Sequence, residues 1–131
     1  MTISGFHHTA IKVVDFDLCL AFYAKLGIHT ARSWHEVPKR AAMLDVGDGN
    51  YLEVFEGGDA DAPSEGRIIH IALRTDDCDG IHALALDAGA TERMAPKDAE
   101  INTHQGPVPV RISFVNCPCG EILEFFQNQI L

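Results

Sequence analysis

Apolar and polar residues alternate along several short stretches of the chain, and two stretches between them have a helical period. The alternation and its β-branched residues predict strands over residues 7–14 and 68–75. An aspartate after each strand can cap a helix, and a glycine, Gly27 or Gly89, can end it. The predicted apolar helix faces are Leu18, Phe22 and Leu26 in the first copy and Ile81, Leu84, Ala85 and Ala88 in the second.

Three further strands follow each predicted helix. Their predicted bounds are 30–36, 41–46 and 50–56 in the first copy and 91–94, 108–116 and 121–126 in the second. The glycines of Gly47-Asp48-Gly49 favour a turn between two of these strands. Residues 95–107 are expected to form a long loop, and long ordered loops often cover binding sites.

The two copies are related by a shift of 62 residues, which brings His8 to Gly27 onto His70 to Gly89. The matched residues include His8 with His70, Ala10 with Ala72 and Gly27 with Gly89. Together with the shared order of elements, these matches indicate a duplication. We therefore predict one α+β domain, residues 1–131, of two βαβββ modules at 1–57 and 67–131. Residues 58–66, rich in glycine and acidic residues, form the expected linker. Each module is expected to form a half-barrel sheet with its helix on the outer face.

Composition narrows the classes of partner. The 131 residues are 47% hydrophobic, enough for a core, and the formal net charge of −9 argues against nucleic acid or an anionic membrane. No apolar stretch is long enough to span a bilayer, and the N-terminal residues do not resemble a signal peptide. We therefore expect a cytoplasmic protein with reduced cysteines and a small-molecule ligand.

Strand alternation places four chemically distinctive residues near the middle of four strands, on the faces that the helices do not cover. They are His8, Glu53, His70 and Glu124. Glutamate is depleted in strands and costly to bury without a partner. Two carboxylates and two neutral imidazoles would balance the charge of a divalent cation, so the set suggests a metal site.

The stretch VNCPCGEILEFF offers a competing set of ligands. Cys117 and Cys119 flank Pro118, and thiolates bind Zn²⁺ well. The proline and Gly120 also fit a tight turn that leads into the last strand. We interpret the stretch as a turn and a strand, with Glu124 as its functional residue.

The motifs FHHTAIKVVD, AFYAKLG, YLEVFEG, HIALRTDD and CGEILEFF resemble the vicinal oxygen chelate superfamily over nearly the whole chain. This superfamily includes glyoxalase I, methylmalonyl-CoA epimerase, extradiol dioxygenases, fosfomycin-resistance transferases and bleomycin-binding proteins. Its ligand positions fall on the four residues named above, and their order of His, Glu, His and Glu is most similar to that of glyoxalase I.

The resemblance implies a metal-dependent lyase or isomerase that removes a proton next to a carbonyl or hydroxyl of a small molecule. It implies one divalent cation per site, Ni²⁺, Zn²⁺, Co²⁺ or Mn²⁺, with Glu124 or else Glu53 as the catalytic base. A homodimer is expected, and the site could form within one chain or between two. Candidate substrate contacts are Tyr51, Phe55, Arg74, Arg111 and Phe126.

Two other functions compete with this one. A drug- or metabolite-binding protein of the bleomycin-resistance type would use the aromatic residues without needing the metal. An Fe²⁺ extradiol-type dioxygenase would use two histidines and one carboxylate, and Glu53 occupies a position that such iron sites leave open. The chain also lacks a clear set of glutathione-binding residues, and Lys12 stands where glyoxalase I enzymes often have arginine.

Overall fold

The computed structural model describes residues 4–131, which contain the series strand, helix and three strands twice. The first series is β1 His8–Val13, α1 Phe16–Lys25, β2 His29–Trp34, β3 Ala41–Asp45 and β4 Tyr51–Glu56. The second is β5 Ile71–Arg74, α2 Cys78–Asp87, β6 Thr91–Thr103, β7 Gly106–Asn116 and β8 Ile122–Gln127. The predicted α+β fold of two βαβββ modules is confirmed.

The two modules have the same sheet topology, in two compact units of which the first ends at Ala62 and the second begins at Pro63. The strand orders are β1-β4-β3-β2 and β5-β8-β7-β6. In each sheet the first strand of the module lies parallel to the last, with Ala10 opposite Glu53 and Ala72 opposite Glu124. The first and last strands of a module therefore become neighbours although a helix and two strands separate them in sequence.

The two helices begin and end as the sequence predicts. Asp15 Oδ1 accepts a hydrogen bond from the Leu18 N–H at 3.0 Å, and Asp77 Oδ1 accepts one from Gly80 at 2.9 Å. Just beyond the two helices, Gly27 (φ +85°) and Gly89 (φ +114°) have a positive φ, which glycine tolerates best. Neither of these ten-residue helices is long or apolar enough to cross a membrane.

The predicted helix faces are only partly right. Leu18 and Leu84 are 46% and 42% exposed. The buried helix residues are Phe16, Cys19, Phe22 and Tyr23 in α1 and Cys78, His82 and Ala85 in α2. Both helices carry apolar residues on more than half of their circumference, so spacing alone could not select the stripe that packs on the sheet.

The predicted loop over residues 95–107 is wrong, because most of it belongs to a long hairpin of β6 and β7. Ile101 pairs with Val108, and Thr103 pairs with Gly106 at the turn. Pro107 and Pro109 lie on the part of β7 that extends beyond its pairing with β8, which begins at Arg111. Their missing N–H groups therefore leave no gap in the hydrogen bonding between β7 and β8.

Each helix packs against one face of its own sheet, and the strand residues that alternate with the packed ones lie on the opposite face. On β4 the buried residues Leu52 and Val54 alternate with partly exposed ones. On β7 Ser113 and Val115 are fully buried in the same alternating manner. The face that carries Glu53 and Glu124 in the two sheets is thus the one opposite the helix-covered core.

Candidate metal centre

In the first module, His8 and Glu53 stand on the neighbouring parallel strands β1 and β4. His8 is in register with Tyr51, and Ala10 with Glu53, so the two side chains share one face of the sheet. His8 Nε2 lies 3.5 Å from Glu53 Oε1. The Glu53 side chain is only 14% exposed, which means that its carboxylate is directed towards the imidazole rather than into solvent.

The second module repeats this arrangement with a shorter contact. His70 Nε2 lies 3.0 Å from Glu124 Oε2, across the neighbouring strands β5 and β8. The whole Glu124 residue is 8% exposed, and it is one of the few buried polar or charged residues of the described chain. The predicted ligands of each module are therefore next to each other, one imidazole nitrogen and one carboxylate oxygen per pair.

Burial raises the pKa of the Glu124 carboxyl, and the charge and hydrogen bond of His70 offset part of that effect. A raised pKa means that removing the charged carboxylate from water is not fully compensated by its one partner. A positive ion bound at this place would supply the missing compensation.

The donor atoms of both pairs fit a divalent cation. Imidazole nitrogen and carboxylate oxygen are both ordinary ligands of Zn²⁺, at about 2.0–2.2 Å from the ion. Two such bonds that meet at 90–110° place the donor atoms roughly 3.0–3.4 Å apart. The separation of 3.0 Å in the second pair lies at the lower end of that range, and the 3.5 Å of the first pair lies just above it, so small side-chain adjustments suffice.

Three further residues lie next to the histidine–glutamate pairs, and the sequence did not predict that they are neighbours of the site. Met43 is in register with Glu53, and Phe114 is in register with Glu124. The Phe114 ring also meets the His70 ring edge-on, with centroids 5.3 Å apart. His7 lies beside His8, with their Nδ1 atoms 2.9 Å apart, whereas alternation predicted opposite faces for these two residues. The strand registers, which the sequence does not contain, were needed to find Met43 and Phe114.

Most of the predicted substrate contacts lie on the face that carries the pairs. Tyr51 is in register with His8, and Arg74 is in register with Phe126. Phe55, Tyr51 and Phe126 are partly exposed, and Arg74 is exposed. These side chains are available to a ligand at the sheet face of their own module.

Arg111 is placed differently from the other predicted contacts. It precedes Ile112, which is in register with Phe126, and therefore points to the helix side of the sheet. Its guanidinium donates to Asp79 at the start of α2 at 2.8 Å and to Asp98 at 3.0 Å. These partners account for the side chain without a ligand.

The stretch that contains the two neighbouring cysteines forms the turn that the sequence predicts. The Gly120 N–H donates to the Cys117 carbonyl at 3.0 Å, and Gly120 has a positive φ of 108°. Cys117 is buried and Cys119 is partly exposed. The turn directs the chain from β7 into β8, which carries Glu124.

The fold and the motifs identify a family. Residues 5–124 match the Glyoxalase/Bleomycin resistance protein/Dioxygenase superfamily, and the chain belongs to it. The superfamily includes both enzymes and binding proteins, so membership defines a glyoxalase/bleomycin-resistance-like protein and leaves the particular activity open.

One relative and two solved structures are similar to the chain. The chain is 35% identical over 128 residues to the uncharacterised protein YwbC of Bacillus subtilis strain 168, with 92% of this chain and 95% of YwbC covered. The fosfomycin resistance protein FosX of Mesorhizobium loti has the same fold, with a TM-score of 0.73 and 16% identity over 98% of this chain and 95% of FosX. FosX of Listeria monocytogenes, solved with Mn(II) and sulfate, has a TM-score of 0.72 and 15% identity over 98% and 96% of the two chains. Divalent metal binding therefore occurs within the superfamily.

Proposed function

We propose that the protein is a metal-dependent lyase or isomerase of the glyoxalase type, which acts on a small molecule with an acidic C–H bond next to a carbonyl or hydroxyl group. Its ligands for one divalent cation per site are His8, Glu53, His70 and Glu124. The observation that carries the proposal is the buried Glu124 carboxylate, held 3.0 Å from His70 Nε2 in one module and matched by Glu53 and His8 in the other.

When bound, a divalent cation at these ligands supplies Lewis-acid polarisation of a substrate carbonyl or hydroxyl oxygen. The carboxylates and imidazoles of the chain hold the charge of the site near neutrality. The Mn(II) bound by FosX of Listeria monocytogenes supports a divalent cation in this fold but does not select the metal used by this chain.

Glu124 is the proposed general base. The C–H bond of the substrate breaks, its proton passes to a carboxylate oxygen of Glu124, and its electron pair moves into the adjacent carbonyl. The former carbonyl carbon then takes this proton, while the hydroxyl proton of the neighbouring carbon passes to the oxygen that received the electron pair, so the isomerisation needs no oxidant or reductant. Burial raises the pKa of Glu124, which brings a carboxylate closer to the range in which it can both accept and return a proton.

Glu53 is the alternative base, since it has an imidazole partner of the same kind. Its side chain is slightly more exposed than that of Glu124, 14% against 10%, and its histidine is 0.5 Å further away. The less exposed carboxylate is the better proton acceptor because burial destabilises its charged form. We therefore assign proton transfer to Glu124 and ligation to Glu53.

Aromatic and cationic side chains beside the pairs are the proposed substrate contacts. Tyr51, Phe55 and Phe126 present ring surface to an apolar or aromatic part of the substrate. Arg74 supplies a positive charge on the same face as Phe126 and suits a carboxylate or phosphate group. The resulting substrate class is a small carbonyl compound that carries an anionic group.

Metal content and activity test the proposal together. The protein is purified without chelator and its metal is measured, followed by titration with Ni²⁺ and Zn²⁺. We expect micromolar or tighter binding in wild type and at least a tenfold loss of affinity in Glu124→Gln. With a panel of hemithioacetals, acyl-CoA thioesters and fosfomycin, Glu124→Gln should lower turnover of the active substrate by about 10²–10⁴-fold.

Glu92→Gln is the matched control, because Glu92 also pairs with a histidine, at 3.1 Å from His82 Nε2, but lies outside the proposed site. It should leave metal binding and turnover unchanged. Wild-type protein that contains no metal and binds neither ion would contradict the proposal. Ligand binding that survives both chelation and Glu124→Gln would indicate a binding protein of the bleomycin-resistance type instead.

A further inference from the structure

His7 and His8 form a side-chain contact that the regular geometry of a strand does not produce. Their Nδ1 atoms are 2.9 Å apart and their rings meet edge-on, at an interplanar angle of 85°. Successive side chains of an extended strand point to opposite faces. Here β1 begins only at His8, so the backbone at His7 is not part of the strand and its ring can turn back to its neighbour.

His7 is fixed in place by two contacts with Tyr51. Its carbonyl oxygen accepts a hydrogen bond from the Tyr51 N–H at 2.8 Å. Its ring also packs against the Tyr51 ring, with centroids 5.4 Å apart. The His7 imidazole is therefore anchored to β4, the strand that carries Glu53, although it is itself exposed.

The contact between the two histidines requires that one ring donate a proton and the other accept it. A neutral imidazole carries a single N–H, on either Nδ1 or Nε2. His8 Nε2 faces Glu53 at 3.5 Å, and in the absence of a cation an Nε2–H is the form that can donate to this carboxylate. His8 Nδ1 then accepts from His7.

A cation on His8 Nε2 requires the opposite arrangement. The nitrogen that binds the ion must offer its lone pair, so the proton of the ring resides on Nδ1 and needs an acceptor. We propose that His7 is a positioning residue for His8, because its Nδ1 accepts this proton and so presents Nε2 of His8 to the metal. This inference rests on the proposed function and names a residue outside the ligand set.

The second module has no equivalent of His7, which shows that the contact is not a by-product of the duplication. The residue before His70 is Ile69, an aliphatic side chain that is 53% exposed and can neither donate nor accept. The His70 ring is packed edge-on against Phe114 instead. The two modules thus orient their histidines by different means, a hydrogen bond in the first and ring packing in the second.

Two substitutions of His7 separate the hydrogen bond from the ring contact. His7→Phe keeps an aromatic ring beside Tyr51 but has no nitrogen, and His7→Asn places an amide that can donate or accept near the position of Nδ1. Ile69→Ala is the matched control in the second module. Since His7 is exposed, none of these changes removes a core residue, and circular dichroism and thermal melts verify the fold.

The readouts are Zn²⁺ affinity, measured by competition with a chelator, and the imidazole tautomers, measured by ¹⁵N NMR at about pH 8.5, where a free imidazole is neutral. In zinc-loaded wild type we expect the proton of His8 on Nδ1. We expect His7→Phe to weaken Zn²⁺ binding about tenfold, His7→Asn to restore most of the affinity, and Ile69→Ala to leave it unchanged.

The outcomes distinguish this inference from the proposed function. If wild type and His7→Phe bind Zn²⁺ equally well, the metal site stands and the role of His7 is overturned. The same holds if His8 in the zinc-loaded protein carries its proton on Nε2. If wild type binds no metal, the proposed function fails first and the role of His7 fails with it.

Discussion

Arg40 and Arg111 occupy equivalent positions in the two modules, and each binds an aspartate at the start of its module's helix. Arg40 lies opposite Glu56, and Arg111 lies opposite Gln127. Glu56 and Gln127 each follow the glutamate of their module's candidate metal site by three residues. Arg40 Nη1 lies 3.0 Å from Asp17, and Arg111 Nη2 lies 2.8 Å from Asp79. Each arginine thus connects the first turn of a helix to the sheet that carries the candidate metal ligands.

Arg111→Met should lower the melting temperature by a few degrees at pH 7, and this loss should shrink as the pH falls. Hydrogen bonds from Arg111 hold the pKa of Asp79 below its ordinary value of about 4. The pair therefore stabilises the fold above that value, and its contribution is lost as the pH falls through the lowered pKa of the folded state. Melts at pH 7, 5 and 3 measure the effect, which stays small because both side chains are partly exposed.

Arg93→Met is the control for this experiment, because Arg93 pairs with Glu65 at 2.8 Å but is more exposed. Relative to wild type, the melting temperature of Arg93→Met should change less than that of Arg111→Met at every pH. A loss in Arg111→Met that is equal at pH 7 and pH 3 would mean that the ion pair with Asp79 does not account for the stabilisation.

Glu124→Gln should stabilise the metal-free protein while it removes the response to metal. A buried carboxylate with a single partner is costly, and an amide at this place can still accept from His70, so we expect a gain of about 1 kcal/mol. Wild type should gain about 2.7 kcal/mol at a Zn²⁺ concentration 100 times its Kd. Urea unfolding with and without Zn²⁺ measures both values, and a less stable metal-free variant would show that the carboxylate is retained for stability.

Gly58→Ala should destabilise the first module by about 1–3 kcal/mol. A Cβ atom at Gly58 would lie 2.7 Å from the carbonyl carbon of Val13 and 2.9 Å from the oxygen of Lys12, and these backbone atoms cannot move independently of β1. The Gly58 N–H also donates to Val13 at 2.9 Å. Gly66→Ala, in the same connecting segment, meets no atom within 4 Å and should be neutral in the same urea titration.

Cys119 should be the one cysteine of the four that reacts rapidly with a thiol reagent such as Ellman's reagent in the folded protein. It is partly exposed, whereas Cys19, Cys78 and Cys117 are buried. Burial also raises the pKa of the Cys78 thiol, so less of it is present as the reactive thiolate. Cys119→Ser should abolish the fast phase, and more than one fast equivalent in wild type would show that a buried thiol becomes accessible.

The sequence was sufficient for the modules and for the placement of the predicted ligands on equivalent strand faces. The duplication fixes which strands correspond, and alternation fixes which side chains share a face. Those two rules alone predict that His8 and Glu53, or His70 and Glu124, lie on equivalent faces. The parallel pairing of the first and last strands then brings each pair together.

The structural details that the sequence did not predict depend on contacts between residues and elements rather than on the period of apolar and polar positions. The predicted strands stop at residue 94 and resume at 108, whereas β6 continues to Thr103 and β7 begins at Gly106. Pro107 is tolerated in this extension because β7 pairs with β8 only from Arg111 onwards. The role of Arg111 beside Asp79 depends on which face of β7 packs on the helix. The contact between His7 and His8 depends on where β1 begins, and strand ends are the least predictable feature of a sequence.

The parallel pairing of first and last strands also determines when the donor atoms of the candidate metal site come together. Glu53 follows His8 by 45 positions, and Glu124 follows His70 by 54, so each pair is among the most non-local contacts of its module. Such contacts carry a large loop-closure cost and require the intervening helix and strands to be ordered. A nascent or truncated module therefore offers no paired donors, and binding of the proposed metal would report that the module has closed correctly.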